Sequence, residues 1–264
     1  MTNSDRITAI VGAGGAIGEA IARRLSDDRR LALLDRDAAR LSTVAHRFPA
    51  DTLRLAVDAA DPAAVDDAFA SIRGGGGLEA LVVAVGTTSG GSIHQLSTDD
   101  WDTTIESNLT TVFHTLRAAV ATMLEGRGGG PVCVIGSVHA DAPQPGFPAY
   151  AAAKAGVAAL VRQVAAEYGH AGIRVNLVTP GWTSTPHTRG RLDRRDGEHL
   201  IDATPLRQLV EASDLADAVA WLLSESSRRV TGAEIVVDAG AHLLGGATVL
   251  RTDYRTRLGL PPEV

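Results

Sequence analysis

Short apolar runs alternate with amphipathic stretches along most of the chain, and this alternation restricts the fold more than any other feature. The runs Leu31–Leu34 and Val132–Ile135 are apolar at every position, so both faces of each strand are expected to be buried. Such strands, separated by helical stretches, are typical of a parallel sheet covered by helices. The predicted strands are Ile7–Val11, Leu31–Leu34, Leu53–Val57, Leu81–Val85, Val132–Ile135, Arg174–Val178 and Glu234–Val237.

Connections between parallel strands are right-handed, and this handedness turns an alternating chain into a doubly wound sheet. We therefore expect residues 1–264 to form a single α/β domain with a Rossmann-type parallel sheet of about seven strands. Helices are predicted at Thr98–Glu125, as one long helix, and at Pro148–Tyr168. A further helix should begin at Asp61-Pro62, because Asp61 can cap it and proline is tolerated in the first turn.

The composition excludes several classes of protein. Of the 264 residues 45% are hydrophobic and the formal net charge is only −6, which does not fit a disordered chain. No apolar stretch approaches the roughly 20 residues needed to cross a bilayer, and residues 1–6 lack the apolar core of a signal peptide. The single Cys133 suits a reducing compartment, and the acidic balance disfavours nucleic acid as a partner. We expect a cytoplasmic protein that binds neither nucleic acid nor a membrane.

Two segments depart from the alternation. Residues 181–201 are long for a loop in a compact domain, which favours a substrate lid over a disordered loop. Residues 241–264 form a C-terminal extension with seven large apolar or aromatic side chains. Burying each of these would stabilise the protein by roughly 1.5–3 kcal/mol, so we expect the extension to pack on a neighbouring subunit. The alternative is a frayed terminus.

A glycine-rich turn directly follows the first predicted strand and leads into the first helix. It reads Val11-Gly-Ala-Gly-Gly-Ala-Ile-Gly18, and glycine there lets backbone N–H groups approach a pyrophosphate at a helix N-terminus. Asp35 ends the second predicted strand, where a carboxylate can accept hydrogen bonds from the ribose of an adenine dinucleotide. A carboxylate repels a 2′-phosphate, so NAD is favoured over NADP, although the next residue, Arg36, could attract one. The alternative for Asp35 is a cap for the next helix.

Tyr150 and Lys154 lie four positions apart in a predicted helix, so their side chains should share one helix face. Lys154 is the only lysine, whereas the other 24 of the 25 basic residues are arginine. A neighbouring ammonium favours the phenolate and lowers the pKa of a tyrosine from about 10, which would make Tyr150 a general acid and base. The alternative is an accidental pair, because the spacing is short and common.

These motifs resemble those of the short-chain dehydrogenase/reductase family over residues 6–240, and most closely those of its 3-oxoacyl-carrier-protein reductase branch. The resemblance implies a catalytic serine at Ser137 and a catalytic asparagine at Asn108, which act with Tyr150 and Lys154. The cofactor contacts that it implies are Gly12, Gly14, Gly15, Ile17, Gly18, Asp35, Asp58, Ala59, Ala84, Gly86, Tyr150, Lys154, Pro180, Gly181, Thr183 and Thr185.

The chain departs from the family pattern at several places. Val11 stands where the family usually has threonine, and Ala16 where it has the second glycine of the turn, so a methyl group is expected to crowd the pyrophosphate. Val83 and Ala84 replace two asparagines whose side chains brace the central sheet. Basic residues typical of the carrier-protein reductases are missing before the fifth and sixth predicted strands, so a carrier-protein substrate is not supported.

The resemblance implies an NAD-dependent oxidoreductase that transfers hydride between the cofactor and a small-molecule secondary alcohol or ketone. Tyr150 would exchange the proton of the substrate hydroxyl, and Ser137 would hold and polarise its oxygen. Lys154 would lower the Tyr150 pKa and bind the nicotinamide ribose, and Asn108 would hold a water that links Lys154 to solvent. The family pairs its two long helices across a two-fold axis, so a homodimer or homotetramer is expected.

Two other functions stay open, a non-catalytic NAD-binding module and an enoyl-thioester reductase of the same fold. The four catalytic positions argue against the first, and the spacing of Tyr150 and Lys154 argues against the second. The eight histidines show no metal-ligand spacing, so no metal site is expected. His139 either lines the pocket or belongs to the core, and Trp182 either forms the floor of the nicotinamide pocket or covers the hinge of the lid.

Overall fold

Seven parallel strands form the central sheet of the computed structural model, which describes residues 6–126, 128–190, 199–244 and 252–261. The strands of this sheet are β1 (Ile7–Val11), β2 (Arg30–Asp35), β3 (Leu53–Ala56), β4 (Leu78–Val83), β5 (Gly130–Ile135), β6 (Ile173–Pro180) and β9 (Glu234–Val237), and β7 (Thr183–Ser184) pairs separately with β8 (Val210–Glu211). The helices are α1 (Ala16–Leu25), α2 (Ala38–Ala45), α3 (Pro62–Gly74), α4 (Thr98–Ile105), α5 (Thr111–Glu125), α6 (Pro148–Tyr168), α7 (Pro186–Arg189), α8 (Ala212–Leu222) and α9 (Thr252–Arg257). The predicted fold class, a doubly wound α/β sheet of the Rossmann type, is confirmed.

The sheet order β3-β2-β1-β4-β5-β6-β9 places β1 between β2 and β4. Val11, the last residue of β1, is aligned with Leu34 of β2 and with Val83 of β4, so the three strands end at the same edge. In doubly wound sheets, ligands bind in the crevice that opens where the winding direction changes. The glycine turn after Val11 lies at this crevice.

Each face of the sheet is covered by helices and has its own apolar core. Ala9 belongs to the core beneath α3, α5 and α6, and Ile10 to the core beneath α1, α2 and α8, because successive side chains of a strand point to opposite faces. This arrangement explains why the central strands are apolar at nearly every position. Among the helices of the described residues, none is both long enough and apolar enough to cross a membrane.

Two element boundaries differ from the prediction. The helix predicted at Thr98–Glu125 is not uniform, because Glu106–Thr110 form a π-helical turn between α4 and α5. The strand predicted at Leu81–Val85 is β4, which ends at Val83, so the two residues after it begin the loop over the crevice. Other predicted boundaries agree closely, including α6 at Pro148–Tyr168 and the cap of α3 by Asp61.

The predicted lid, residues 181–201, lies only partly within the described residues, because 191–198 fall outside them. Its first part contains β7 and the short helix α7. Thr183 of β7 is aligned with Val210 of β8, so the beginning of this segment is joined to residues that follow it. Closure of the segment over a substrate stays a prediction.

The described part of the C-terminal extension contacts its own chain. Arg255 of α9 is 2% exposed, and its guanidinium donates to the carbonyl oxygen of Pro261 at 2.7 Å and to the carboxylate of Asp202 at 3.4 Å. Arg207 donates to the carbonyl oxygen of Leu258 at 2.6 Å. The extension therefore packs on residues that follow the predicted lid. Its predicted packing on a neighbouring subunit stays a prediction.

Replacing Arg255 with methionine should lower the free energy of unfolding by about 1–3 kcal/mol, because it removes a buried guanidinium that bonds to two separate segments. Urea unfolding measures this change. Arg257→Met, at an exposed position of the same helix, is the matched control and should change the free energy by less than about 0.5 kcal/mol. Equal effects of the two substitutions would contradict the anchoring role of Arg255.

Candidate active site

Close backbone contacts shape the turn after β1. Gly12 has a φ of +87°, and a Cβ there would lie 2.4 Å from the carbonyl oxygen of Ala84. A Cβ at Gly18 would lie 2.1 Å from the carbonyl oxygen of Gly12. Both positions therefore require glycine, and the turn lies directly against the residue that follows β4.

The start of α1 is open to an anion. Its N-cap residue is Gly15, which has no side chain to bond the first backbone N–H groups of the helix. These groups, that of Ile17 included, have no acceptor within the helix and suit a pyrophosphate, as predicted. Ala16 is the first residue of α1, so its methyl group is compatible with the helix start. Its predicted crowding of the pyrophosphate stays a prediction.

Asp35 is held at the end of β2 by two backbone N–H groups. Its Oδ2 accepts from Gly14 at 2.8 Å, and its Oδ1 accepts from Asp37 at 2.9 Å. The cap of α2 is Asp37, whose side chain accepts from the N–H of Arg40. This geometry decides against the alternative in which Asp35 caps the helix. The carboxylate of Asp35 instead lies beside the glycine turn.

Two of the predicted cofactor contacts, Asp58 and Ala59, lie just after β3. The backbone N–H of Val57 donates to the carbonyl oxygen of Asp35 at 2.9 Å, which places this stretch beside the β2 carboxylate. Asp58 is exposed, whereas Ala59 is buried and its carbonyl oxygen lies 3.2 Å from Nδ1 of His114. These residues therefore form the outer wall of the same crevice.

Ala84 and Gly86 follow β4 and lie between the glycine turn and the predicted catalytic residues. The N–H of Ala84 donates to the carbonyl oxygen of Val11 at 2.8 Å. Gly86 has a φ of +140°, and a Cβ there would lie 2.3 Å from Oδ1 of Asn108 and 3.3 Å from Nζ of Lys154. The missing side chain of Gly86 lets these two groups come close to each other.

Asn108 lies in the π-helical turn and is fully buried. Its amide nitrogen donates to the carbonyl oxygens of Thr87 at 2.8 Å and Thr104 at 3.0 Å. Its Oδ1 is buried and has no hydrogen-bond partner among the described residues. A buried acceptor without a partner calls for a ligand or an ordered water. The arrangement fits the predicted water between Asn108 and Lys154.

Lys154 is buried on α6 and is 3% exposed. Its ammonium donates to the carbonyl oxygens of Ile135 at 3.2 Å and Val85 at 3.4 Å. Burial disfavours the charged form and lowers the pKa of Lys154 to about 8. Nζ lies 5.7 Å from the ring centroid of Tyr150, so the two side chains share one face of the helix, as the spacing predicted.

Ser137 and Tyr150 interact at the carboxyl end of β5. Ser137 is 7% exposed, and its hydroxyl oxygen accepts from the N–H of His139 at 3.2 Å. Burial raises the pKa of Tyr150, and a hydrogen bond with Ser137 acts in the opposite direction. The four-residue spacing predicts that Lys154 lowers this pKa, whereas in the structure desolvation of the phenolate is the largest effect and raises it.

Four of the predicted cofactor contacts lie at or after the end of β6. Pro180 ends the strand, and a Cβ at Gly181 would lie 2.5 Å from the Cβ of Asp238, so the backbone is held tightly there. The hydroxyl of Thr183 donates to the carbonyl oxygen of Gly181 at 3.1 Å. The hydroxyl of Thr185 caps α7 by accepting from a backbone N–H at 3.3 Å. Each threonine therefore keeps only part of its hydrogen-bonding capacity for a cofactor.

Several neighbours of the catalytic side chains had roles that the sequence left undecided or did not indicate. The ring of His139 lies 5.4 Å from that of Tyr150, so His139 belongs to the site and not to a remote core. Phe147 was missed, and its ring lies 5.5 Å from that of His139. Thr87 was missed because it acts through its backbone carbonyl, which leaves no signal in residue type. Trp182 is 36% exposed.

The sequence is similar to those of known proteins over most of its length. A family model described as enoyl-(acyl carrier protein) reductase matches residues 12–242. A 2,3-dihydro-2,3-dihydroxybenzoate dehydrogenase from Bacillus subtilis is 32% identical over 252 residues, which cover 90% of this chain and 96% of the relative. A 3-oxoacyl-(acyl-carrier-protein) reductase, FabG, from Salmonella typhimurium is 30% identical over 247 residues, with 92% and 100% covered.

Solved structures agree as well. An oxidoreductase of the short chain dehydrogenase/reductase family from Burkholderia thailandensis superposes with a TM-score of 0.86 at 32% identity. The superposition covers 98% of this chain and all of that one. The likeness therefore includes the sheet, the crevice and the segments around it.

Burial of Lys154 should make the stability of the cofactor-free protein depend on pH. Its pKa is about 8 in the folded protein, below the ordinary 10.5, so the unfolded chain binds more protons between these values and stability rises with pH. From about pH 7.5 to about pH 9.5, wild type should gain about 1–2 kcal/mol of unfolding free energy relative to Lys154→Met, measured by urea unfolding.

The matched control is Arg162→Met, which removes an exposed cation from the same helix and should follow the wild-type profile. The raised pKa of Tyr150 affects stability only above its ordinary value of about 10, outside this interval. Parallel profiles for wild type and Lys154→Met would contradict the buried, destabilised ammonium.

Proposed function

The chain belongs to the short-chain dehydrogenase/reductase family, and on that premise we propose that it is an NAD-dependent oxidoreductase that interconverts a small secondary alcohol and its ketone. The observation that supports this most directly is that the side chains of Ser137, Tyr150 and Lys154 lie close together. Asn108 lies close to the lysine, beside Gly86. The family and the named relatives support an oxidoreductase that acts on alcohol or carbonyl groups.

The residues around the crevice fit a nicotinamide dinucleotide. The open start of α1 suits its pyrophosphate, and the Asp35 carboxylate, fixed by the N–H of Gly14, suits the adenosine ribose. The unpartnered Oδ1 of Asn108 suits an ordered water near the nicotinamide ribose. When bound, the nicotinamide supplies or accepts the hydride at the reacting carbon.

Side chains of the protein itself transfer the proton. Oη of Tyr150 accepts the proton of the substrate hydroxyl during oxidation and returns it to the oxygen during reduction. The Ser137 oxygen accepts from the N–H of His139, and its proton, which is shared with Tyr150 in the structure, is donated to the substrate oxygen. Lys154 binds the ribose and, as an ammonium, favours the phenolate of Tyr150 that oxidation requires.

Tyr150 is protonated near neutral pH, and burial favours this form further because it raises the pKa. A neutral tyrosine is the form that donates a proton to a ketone, and Lys154 lies close enough to stabilise the anion that results. The water held by Asn108 would then pass a proton from solvent to Lys154 and onward to Tyr150.

An enoyl-thioester reductase is the second candidate, because the description of the matching family model names that reaction. The four-residue spacing of Tyr150 and Lys154 argues against it, since the reductases of that branch space these residues differently. Reduction of an enoyl thioester with NADH, without turnover of any secondary alcohol or ketone, would favour the enoyl-thioester reductase over the proposed function. A non-catalytic NAD-binding module is disfavoured by the buried, hydrogen-bonded catalytic set.

We also propose a homodimer or homotetramer. Large apolar side chains of α4 and α5 are exposed to solvent in the single chain, namely Trp101 at 37%, Phe113 at 48% and Leu124 at 43%. Exposed apolar side chains grouped on one pair of elements are typical of a protein–protein contact. A closed two-fold arrangement would bury them against their own copies.

Tyr150→Phe should lower turnover by a factor of at least about 10² while leaving the fold and NAD affinity unchanged, because it removes only the hydroxyl that exchanges the proton. A panel of secondary alcohols with NAD, followed by NADH absorbance, measures turnover. Tyr168→Phe, at the end of the same helix, is the matched control and should keep its rate. A Tyr150→Phe protein with near wild-type turnover would refute the proposed acid and base.

NAD should bind at least about tenfold more tightly than NADP, because the fixed carboxylate of Asp35 repels a 2′-phosphate. Asp35→Asn should reduce this preference, and calorimetric titration of both cofactors measures it. Asp37→Asn, which changes the neighbouring helix cap, is the control and should leave the preference intact. If wild type binds the two cofactors equally, Arg36 outweighs Asp35 and the NAD assignment is wrong.

A further inference from the structure

The backbone of His139 is hydrogen-bonded to the catalytic serine. It lies in the 3-10 turn Val138–Ala140 that follows Ser137, and its backbone N–H donates to the Ser137 hydroxyl oxygen at 3.2 Å. The backbone of His139 is therefore held beside the Ser137 hydroxyl.

The ring of His139 is held between two aromatic rings. Its centroid lies 5.5 Å from that of Phe147 at an interplanar angle of 75°, and 5.4 Å from that of Tyr150 at 81°. Both contacts are edge-to-face, which is a favourable geometry for aromatic pairs. A phenylalanine at position 139 could make the same contacts, so packing alone does not explain a histidine.

One polar atom of the ring is not satisfied by the described residues. Nδ1 of His139 is buried and has no hydrogen-bond partner in the part of the chain that the structure describes. The other buried side-chain atom in this state, within the same residues, is Oδ1 of Asn108, which also adjoins the catalytic groups. A buried polar atom without a partner is unfavourable and usually has a functional reason.

The chemistry of the ring restricts what it can bind. Burial lowers the pKa of His139, so near neutral pH the imidazole is uncharged and offers one N–H donor and one nitrogen acceptor. A hydroxyl group can match either nitrogen, whereas an ammonium or a carboxylate matches only one. A half-turn about the Cβ–Cγ bond exchanges the places of Nδ1 and Cδ2, so a nitrogen can face a bound oxygen while the ring keeps its place.

We propose that His139 selects the substrate by hydrogen-bonding to a second oxygen on the carbon next to the reacting one. Ser137 and Tyr150 would hold the reacting oxygen, and the His139 ring lies edge-to-face against the ring of Tyr150, so an oxygen bonded to the imidazole would lie close to the reacting one. The favoured substrates are then vicinal diols and the matching α-hydroxy ketones. This inference rests on the proposed alcohol–ketone activity and adds a substrate class to it.

The test compares matched substrates that differ only in the second hydroxyl. The kcat/KM values are measured with saturating NAD for 2,3-butanediol against 2-butanol, and for trans-1,2-cyclohexanediol against cyclohexanol. Wild type should prefer each diol by about tenfold or more after allowance for its two equivalent hydroxyls, since loss of one buried hydrogen bond has about this effect. His139→Phe, which keeps an aromatic ring, should reduce the ratio to about one and change the rate on the simple alcohols far less.

Phe147→Leu is the matched control, because it alters the packing of the same ring but leaves both nitrogens in place, and it should keep the diol preference. His139→Asn retains a donor and an acceptor and should keep part of it. Equal rates on diol and alcohol in wild type, or an unchanged preference in His139→Phe, would overturn the inference while the proposed function stands. Intact NAD binding without oxidation of either substrate type would overturn the proposed function, and the inference with it.

Discussion

The close approach of the β1–α1 turn to the end of β4 is the contact on which the site depends. Gly12 can lie against the carbonyl of Ala84 only because it has no side chain, and β1 can end beside β4 only because the winding of the sheet changes there. This contact places the open start of α1 next to the loop that contains Gly86. The crevice and the catalytic residues therefore lie on either side of this contact.

Polar side chains near this contact are more deeply buried than is usual for lysine and asparagine. The ammonium of Lys154 donates to two backbone carbonyls and the amide nitrogen of Asn108 to two more, so the backbone fixes both side chains. In such surroundings a charge is unfavourable, which lowers the pKa of Lys154 and raises that of Tyr150. The shift of Lys154 brings its pKa closer to neutral pH, whereas the shift of Tyr150 moves its pKa further above neutral pH.

The fold could be predicted because its signals are local and periodic. Apolar runs gave the strands of the central sheet, and the four-residue spacing placed Tyr150 and Lys154 on one helix face. The π-helical turn at Asn108 could not be predicted, because a single wide turn leaves the amphipathic pattern almost unchanged and depends on a bond to the distant carbonyl of Thr87. The raised pKa of Tyr150 also required the structure, because desolvation depends on how all neighbouring segments pack.

The sequence by itself determined the strand and helix pattern, the need for glycine at the first turn, and which residue types were available for proton transfer. Only the tertiary structure showed that Asp37, and not Asp35, caps α2. It also brought His139 to the catalytic tyrosine and Phe147 to His139. It also placed Arg255 against Asp202, more than fifty residues away along the chain. The physical reason is the range of the interactions: backbone propensity and periodicity act within a few residues, whereas burial and hydrogen-bond partners are set by segments that meet only after folding.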